Sequence, residues 1–255
     1  MCGRYSLHAT PSTLADRFGV AFPEDFEPRY NCAPGQELPV ITDGGEVRRM
    51  EWGLTPSWAD ESFDLINARA ETLTEKRSFA DAYRARRCLV PVTGFYEWTE
   101  VDGHNQPFRV AFADDRPFAV AGLWERWSPP TRQSGLGEFG VGDGDGDDDV
   151  RETFTIVTTE PNDLLSRLHH RMAVVLPPDR EDDWLHADPP EADDGVAPVH
   201  TDLLTPYPDD ELVAYPVSTD VNAPSTDAPH LHDRVADVDV PPELDAGTEP
   251  SAGLS

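Results

Sequence analysis

Cysteine, lysine and long apolar runs are scarce in this chain, and each scarcity excludes a class of protein. The three cysteines, Cys2, Cys32 and Cys88, form neither an even-numbered disulfide framework nor a Cys-x-x-Cys zinc pattern. The amino terminus lacks the basic-then-apolar pattern of a secretion signal, and no apolar run approaches the length of a membrane span. We therefore expect a reduced, cytoplasmic protein with no membrane segment, no metal site and no cofactor.

Basic charge is also scarce, with 20 basic residues against 49 acidic ones and a formal charge of −29. Lys76 is the only lysine, so arginine supplies the other 19 basic residues. Such acidity argues against a nucleic-acid partner, which needs cationic contacts to phosphates. The acidity also fits adaptation to high salt, where the distance over which charges interact, the Debye length, falls to roughly 3 Å at 1 M. We favour the second interpretation because the acidic residues concentrate in loops and tail, which leaves room for a local basic patch on an acidic body.

The chain is long enough for one large domain or two small ones, and we expect one body over residues 2–232. Thr10 followed by Pro11 is typical of a helix start, and Gly19 of its end. A turn sequence at 43–45 between two strand-like runs predicts a hairpin. Predicted strands cover 38–42, 47–52, 88–100 (with a potential break at Gly94), 108–113, 118–127, 153–159, 173–176 and 213–217. Further helices are predicted at 74–87, from 161, and near residues 184 and 203–207.

Two segments are predicted to lack regular structure. Residues 128–149 are rich in glycine and aspartate and resemble a calcium-binding repeat, but an EF-hand needs a glutamate at position twelve and flanking helices, and neither is present. A solvated loop insertion is therefore expected there. Residues 233–255 are rich in proline, aspartate, alanine and glycine and are predicted to form a disordered acidic tail.

Cys2 follows directly on Met1, and removal of Met1 would leave a free amine and a thiol on adjacent carbons. Such an aminothiol condenses with an aldehyde to an imine, which the thiol then closes into a five-membered thiazolidine ring. Ordinary pKa values of about 7.7–8.0 for the amine and about 8.5 for the thiol leave fractions of both nucleophiles free near neutral pH. For Met-Cys alone, a chance cysteine behind the initiator is the better interpretation.

Five further islands stand out from the acidic background. They are 29–35 (RYNCAPG), 52–58 (WGLTPSW), 67–72 (NARAET), 94–98 (GFYEW) and 168–174 (LHHRMAV). Together with the terminal MCGRY, and in this order, they resemble the SRAP family (SOS-response-associated peptidases, also called abasic-site processing proteins). The resemblance covers residues 2 to about 229, including 215–218 and 221–222. Two positions depart from the usual motif, since His170 stands where aspartate is common and Ala173 where proline is usual.

The resemblance implies an α+β fold: a single mixed domain with a mainly antiparallel, barrel-like core and peripheral short helices. It also implies covalent capture of the ring-opened abasic deoxyribose in single-stranded DNA as a thiazolidine cross-link to mature Cys2. The imine intermediate would allow strand cleavage by β-elimination, a lyase activity. Met1 would leave by self-processing, hence the word peptidase, or through a general aminopeptidase. We expect a monomer that works in the cytoplasm and is nucleoid-associated when bound to DNA.

Three catalytic residues follow from motif position together with the residue chemistry. Cys2 matches the family's nucleophile. Asn67 matches an active-site asparagine, whose neutral amide would hydrogen-bond the amine or the sugar oxygens. Glu97 would hold the ammonium and exchange protons during imine formation. The alternative is that Glu97 faces solvent and has no catalytic role, because Phe95, Glu97 and Thr99 alternate along a predicted strand.

The fourth predicted catalytic residue is His169, which precedes Arg-Met as in the family. Its imidazole titrates near neutrality and would assist opening of the sugar ring. The neighbouring His170 leaves the assignment open in part, although alignment on Arg171 favours His169. Since adjacent side chains at a helix end should point apart, we expect only one of the two to face the site.

The remaining candidates are DNA contacts, and the expected partner is single-stranded DNA containing abasic sites. They are Arg4, Arg69 and Arg171 as bidentate grips on phosphate, Trp52 and Trp58 as stacking partners for bases, and Asn31 and Pro34 in the floor of the cleft. Stacking would contribute roughly 1–3 kcal/mol per base. For either tryptophan alone, core packing is the stronger alternative. Cys32 and Cys88 are expected to be buried, inert thiols.

Two other functions compete with abasic-site capture. An amino-terminal-nucleophile amidohydrolase, such as a glutaminase domain, would also mature to an exposed Cys2, with the amine as base for the thiol. That alternative leaves the GFYEW and His-x-Arg-Met islands unexplained. A non-catalytic single-strand binder, in which Cys2 is incidental, is the second alternative.

Overall fold

The structure is a computed structural model that describes residues 2–129, 150–186, 202–236 and 238. Strands predominate over short helices in these ranges. The strands are β1 (Tyr5–Leu7), β2 (Arg29–Cys32), β3 (Glu37–Thr42), β4 (Val47–Trp52), β5 (Asn67–Arg69), β6 (Arg87–Val92), β7 (Gly94–Val101), β8 (His104–Phe112), β9 (Phe118–Trp127), β10 (Arg151–Thr159), β11 (Met172–Ala173), β12 (Val175–Leu176) and β13 (Leu212–Pro216). The α-helices are α1 (Pro11–Phe18), α2 (Arg77–Ala85), α3 (Asp163–Ser166) and α4 (Glu181–His186), and 3-10 turns lie at Ala70–Thr72, Pro178–Arg180, Thr219–Asn222 and Pro229–His232.

Five strands close into a barrel. β4, β3, β6 and β9 are successive antiparallel neighbours, β9 pairs with β10, and β10 pairs in parallel with β4 to complete the ring. β5 pairs with β10 in parallel. The two-residue strands β11 and β12 pair in antiparallel fashion with β10 and β9, respectively. Apolar strand residues such as Val90, Val120 and Phe154 are buried in the common core. The expected α+β fold with a mainly antiparallel, barrel-like core is confirmed.

A second, five-stranded antiparallel sheet carries the amino-terminal strand. Its order is β13-β8-β7-β1-β2, so β1 lies between β7 and β2. The chain leaves the barrel strand β6 and enters β7 through Thr93, whose N–H donates to the Ser6 carbonyl oxygen at 2.7 Å. At Gly94 an added Cβ would lie 2.9 Å from the Val110 carbonyl oxygen, so glycine permits the close approach of β8. The predicted break at Gly94 is confirmed.

Helix α1 begins and ends at local capping signals, as predicted. The Thr10 side chain accepts a hydrogen bond from the Thr13 N–H, and Pro11 occupies the first turn. Gly19 ends the helix with φ of 69°, a left-handed conformation that glycine adopts without steric cost. Local chemistry alone therefore sets both ends of this element.

The other helices differ from the prediction. α2 is shorter than the predicted 74–87, because the chain before it forms turns and Lys76 becomes the N-cap. The helix predicted from 161 is a single turn, α3, capped by the side chain of Asn162. The helix predicted at 203–207 is wrong, since those residues form turns, bends and irregular chain.

Three strands that the pattern did not predict, β1, β2 and β5, lie around the amino terminus. Each has only three or four residues, too few to show an alternation of apolar and polar side chains. Longer neighbours define β1 and β5, since Tyr5 pairs with Phe95 of β7 and Ala68 pairs with Val157 of β10. β2 in turn pairs with β1. Tertiary pairing, not local propensity, makes these segments strands.

The chain after β13 covers the outer face of the second sheet. Leu231 packs against Tyr96 of β7. From β2, the side-chain nitrogen of Asn31 lies within hydrogen-bonding distance of three carbonyl oxygens of this segment, at 2.8, 3.0 and 3.2 Å. Val235 donates its N–H to the Pro216 carbonyl oxygen at 3.0 Å, so contacts with the body continue past residue 232.

The two segments predicted to lack regular structure fall mostly outside the described residues. Of the loop at 128–149 only residues 128 and 129 are described, and of the tail at 233–255 only residues 233–236 and 238. In the described ranges, no helix has both the length and the apolar character needed to cross a bilayer.

Candidate active site

The register of β1 against β7 brings the amino terminus of the chain to Glu97. Tyr5 pairs with Phe95, and continuing this antiparallel register by two residues sets Gly3 opposite Glu97. Cys2 is adjacent to this pair and is buried, with 1% of its surface exposed. The proximity of Cys2 and Glu97 therefore arises from pairing between residues about ninety positions apart.

Asn67 holds the backbone of Cys2. Its side-chain nitrogen donates to the Cys2 carbonyl oxygen at 3.0 Å, across the gap between β5 and the amino terminus. The thiol lies 3.8 Å from the Arg4 carbonyl oxygen. Burial raises the pKa of the Cys2 thiol, and the negative charge of Glu97 raises it further. The thiol is therefore held protonated in this environment, and its reaction requires a nearby proton acceptor.

Glu97 is a buried carboxyl group with 1% of its surface exposed. It does not point outward: its neighbours Tyr96 and Trp98 face the carboxy-terminal segment, and Glu97 takes the opposite face. Burial raises the pKa of Glu97 to about 7, against a smaller opposing effect of the positive chain terminus. A carboxyl group with this pKa is half ionised near neutral pH and is suited to exchange protons.

His169 lies between α3 and β11, and one contact indicates its tautomer. The Arg171 backbone N–H donates to Nδ1 at 3.0 Å, whereas the Arg171 carbonyl oxygen lies farther away at 3.2 Å. An N–H always donates, so Nδ1 must be the acceptor and the ring proton of neutral His169 sits on Nε2. Burial lowers the pKa of His169, which favours this neutral form.

The expectation that the two histidine rings point apart is wrong. The ring centroids of His169 and His170 are 4.2 Å apart, with the planes tilted by 32°. They do not sit on a helix end either, because α3 stops at Ser166. His170 is exposed and His169 is half-buried. Burial and hydrogen bonding, as well as the motif, therefore favour His169 as the candidate catalytic histidine.

Arg171 is bound within the fold, in place of the predicted contact with phosphate. Its two terminal nitrogens donate to the two carboxylate oxygens of Glu71 at 2.5 and 2.9 Å, and one of them also reaches the Thr158 carbonyl oxygen at 2.7 Å. Only 8% of Arg171 is exposed. Glu71 was not among the predicted site residues, although its place in the NARAET island, close after Asn67, was a usable signal.

Two further predicted DNA contacts are corrected by burial. Trp52 is fully buried, stacks at 6.2 Å on Phe154 and donates its indole N–H to the Ile66 carbonyl oxygen. Trp52 therefore packs in the core, as the alternative to base stacking predicted, and no base can reach it. Asn31 is also fully buried, and its side chain holds the carboxy-terminal segment rather than the floor of an open cleft.

Four predicted DNA contacts remain accessible. Arg69 is exposed on β5, and Arg4 and Pro34 are half-buried. Trp58 is 38% exposed, the largest exposed apolar side chain of the described residues. The guanidinium of Arg77 lies 4.1 Å from the centre of the Trp58 ring, a cation–π contact that sequence patterns did not indicate. An exposed indole beside arginine is the kind of surface on which an unpaired base stacks.

The other titratable groups of the described ranges form no second centre of the kind that binds a metal. In the described part of the chain, no cluster of three or more histidine, cysteine, aspartate or glutamate side chains could hold an ion. Cys32 and Cys88 are fully buried, and burial raises the pKa of each thiol. Their burial agrees with the prediction of buried thiols.

The fold and the site together define a class: single-domain, barrel-centred α+β proteins in which the cysteine at position 2 lies beside a buried glutamate and is held by an asparagine. The family described as SOS response associated peptidase (SRAP) matches residues 1–224, and the chain belongs to this family.

Two named relatives and a solved structure agree with this membership. The chain is 36% identical over 247 residues to the abasic site processing protein YoqW of Bacillus subtilis, covering 91% of this chain and 98% of YoqW. It is 30% identical to the abasic site processing protein HMCES of Pongo abelii, covering 90% of this chain and 75% of HMCES. A crystal structure of a protein from Bacteroides thetaiotaomicron superimposes with a TM-score of 0.74 at 26% identity, covering 92% of this chain and all of the other.

Proposed function

We propose that this protein captures abasic sites in single-stranded DNA by forming a covalent bond through Cys2. The observation that carries the proposal is the arrangement around that residue: Asn67 fixes its carbonyl group, and Glu97 is buried alongside it. The names of the relatives supply the substrate class, abasic sites. An aldehyde is the electrophile that a ring-opened abasic sugar offers.

The proposed reaction balances with loss of one water molecule. After Met1 is removed, the Cys2 amine attacks the sugar aldehyde, giving an imine as water leaves. The thiol then adds to the imine carbon, forming the C–S bond, and its proton passes to the nitrogen to complete the thiazolidine. Glu97, with a pKa of about 7, accepts a proton from the ammonium and returns one to the departing oxygen. His169 donates from Nε2 to the sugar oxygen during ring opening.

Burial of Cys2 accounts for the order of the two nucleophiles. Because the pKa of the thiol is raised, the amine acts first and the thiol follows once the imine is formed. The same imine would permit strand cleavage by β-elimination, which is the proposed lyase activity. Removal of Met1 by the protein itself, the proposed peptidase activity, would use the same site.

The test is a cross-link that survives denaturation. Mature protein mixed with an oligonucleotide carrying one abasic site should give a shifted band on a denaturing gel, with the adduct mass equal to the sum minus one water. Cys2→Ala should abolish the band, while Cys88→Ala, which alters an unrelated buried thiol, should retain it. Protein that keeps Met1 should be inactive because its Cys2 nitrogen is an amide. A cross-link formed by Cys2→Ala, or by protein retaining Met1, would refute the aminothiol mechanism.

The alternative amidohydrolase is separated from this proposal by its substrate. Ammonia released on incubation with glutamine, without any cross-link to abasic DNA, would favour the amidohydrolase. A non-catalytic single-strand binder would give a band shift only on native gels. The GFYEW island favours capture, since its glutamate is the group buried beside Cys2.

The oligomeric state, the location and the working salt concentration are proposed from the sequence alone. We propose a monomer that works in the cytoplasm at high salt and associates with the nucleoid when bound to DNA. The formal charge of −29 supports the salt adaptation, because solvated acidic surfaces remain soluble where screening is strong.

A further inference from the structure

β10 brings two parts of the site to its two edges. Thr158 pairs with Arg69 of β5 on one side and with Ala173 of β11 on the other. Glu71 lies two residues after the first partner, and Arg171 two residues before the second. The ion pair between them therefore bridges the end of β10, and the Thr158 carbonyl oxygen accepts from the same guanidinium.

The segment that carries His169 lies between two elements rather than within one. Residues 167–171 lie between α3 and β11, outside regular structure. The His169 backbone N–H is fixed to the Leu165 carbonyl oxygen at 2.8 Å, which secures one end. At the other end two contacts hold the chain: Met172 pairs with Thr159 of β10, and the guanidinium of Arg171 binds Glu71 and Thr158. The backbone N–H of Arg171 donates to His169 Nδ1. The ion pair of the guanidinium therefore adds to the strand pairing in fixing the backbone donor that sets the imidazole tautomer.

We propose that Glu71 is a positioning residue for His169: through Arg171 it holds the imidazole as the Nε2–H tautomer, so that the ring presents a hydrogen-bond donor to the abasic sugar. This inference rests on the proposed function and deepens it. It also links His169 to β5, the strand whose Asn67 holds Cys2. One ion pair thus connects the segment that carries His169 to the turn that follows β5.

The bidentate geometry explains why a carboxylate is required. Two parallel N–H···O bonds between a guanidinium and a carboxylate restrict rotation as well as distance. Glu71→Gln keeps the size of the side chain but presents one amide NH₂ to the guanidinium, which has only donors. Arg171 would then keep its bond to Thr158 and lose its fixed orientation.

The experiment compares Glu71→Gln with Glu75→Gln, which removes the same charge from an exposed side chain four residues away. The tautomer of His169 is read from ¹⁵N NMR of its ring nitrogens, assigned with His169→Gln. We expect the Nε2–H form in wild type and Glu75→Gln, and a mixture of tautomers in Glu71→Gln. Capture by Glu71→Gln should be about tenfold slower, with unchanged affinity for undamaged single-stranded DNA.

Two results would overturn the inference. One is a Glu71→Gln variant whose His169 tautomer matches wild type. The other is a Glu71→Gln variant that captures abasic DNA as fast as Glu75→Gln. The NMR measurement needs no abasic DNA, so it judges the positioning role even if wild-type protein forms no cross-link and the proposed function fails.

Discussion

At Glu97, burial and chemistry act in opposite directions. The barrel side of β7 removes the carboxylate from water, which disfavours its charge, whereas the proposed reaction needs that charge for part of its cycle. A pKa of about 7 is the compromise, because it leaves both protonation states populated near neutral pH. A residue tuned in this way makes the native state less stable in return for proton exchange.

The pH dependence of stability follows from that pKa. Glu97 titrates at about 7 in the folded protein and at an ordinary 4.5 when unfolded, so the folded state binds the proton more tightly. Its contribution to stability is therefore lost as pH rises from about 4.5 to about 7. We expect Glu97→Gln to raise the free energy of unfolding at pH 8 by up to about 3 kcal/mol, and by little at pH 4.

The measurement is urea unfolding at the two pH values, with Glu100→Gln, an exposed carboxylate on the same strand, as the matched control. The same Glu97→Gln variant should capture abasic DNA about a hundredfold more slowly. Equal urea midpoints for wild type and Glu97→Gln at pH 8 would show that the carboxylate carries no cost of burial.

At the scale of elements, β10 organises the site. It pairs with β4, β5, β9 and β11, and so it closes the barrel while carrying the strand of Asn67 and the segment of His169 at its edges. The second sheet contributes β1 and β7, which bring Cys2 to Glu97. The site forms where these two sheets meet, and it depends on the close packing of the strands that connect them.

Gly94 is a point at which β7 and β8 pack closely. A Cβ at this position would meet backbone, the Val110 carbonyl oxygen, at 2.9 Å and Arg109 Nε at 3.1 Å. We expect Gly94→Ala to lower the free energy of unfolding by about 1–3 kcal/mol, because β8 cannot move away without disturbing its pairing. Gly44→Ala is the control, since its Cβ would have nothing nearer than 4.0 Å. Thermal unfolding of both variants measures the difference, and indistinguishable midpoints would contradict the steric argument.

At the scale of the whole molecule, most arginines of the described ranges form ion pairs within the fold. Ion pairs such as Arg17–Glu181, Arg86–Glu125 and Arg109–Asp115 bind arginines to carboxylates of the acidic body. Of the predicted arginine contacts, Arg4 and Arg69 remain accessible, and exposed Arg77 lies against Trp58. Because few phosphates would be contacted, binding of undamaged DNA should be weak and only moderately dependent on salt.

The excess negative charge predicts stabilisation by salt. Raising KCl from about 0.1 M to about 2 M should increase the melting temperature by several degrees, because screening reduces repulsion among the carboxylates. Sucrose at matched osmolality serves as the control, since it favours compact states without screening charge. A melting temperature that falls as KCl is added would argue against adaptation to high salt.

The sequence by itself determined the features that depend on neighbouring residues and on motif order. Thr10 and Gly19 delimit α1 through their own hydrogen bonds and backbone freedom, and the ordered islands sufficed to indicate the family and the barrel-like fold. Only the tertiary structure decided that Glu97 is buried, that Trp52 belongs to the core, and that Arg171 binds Glu71. The physical reason is that burial and pairing depend on residues about ninety positions apart, such as those of β5 and β10, which no local pattern records.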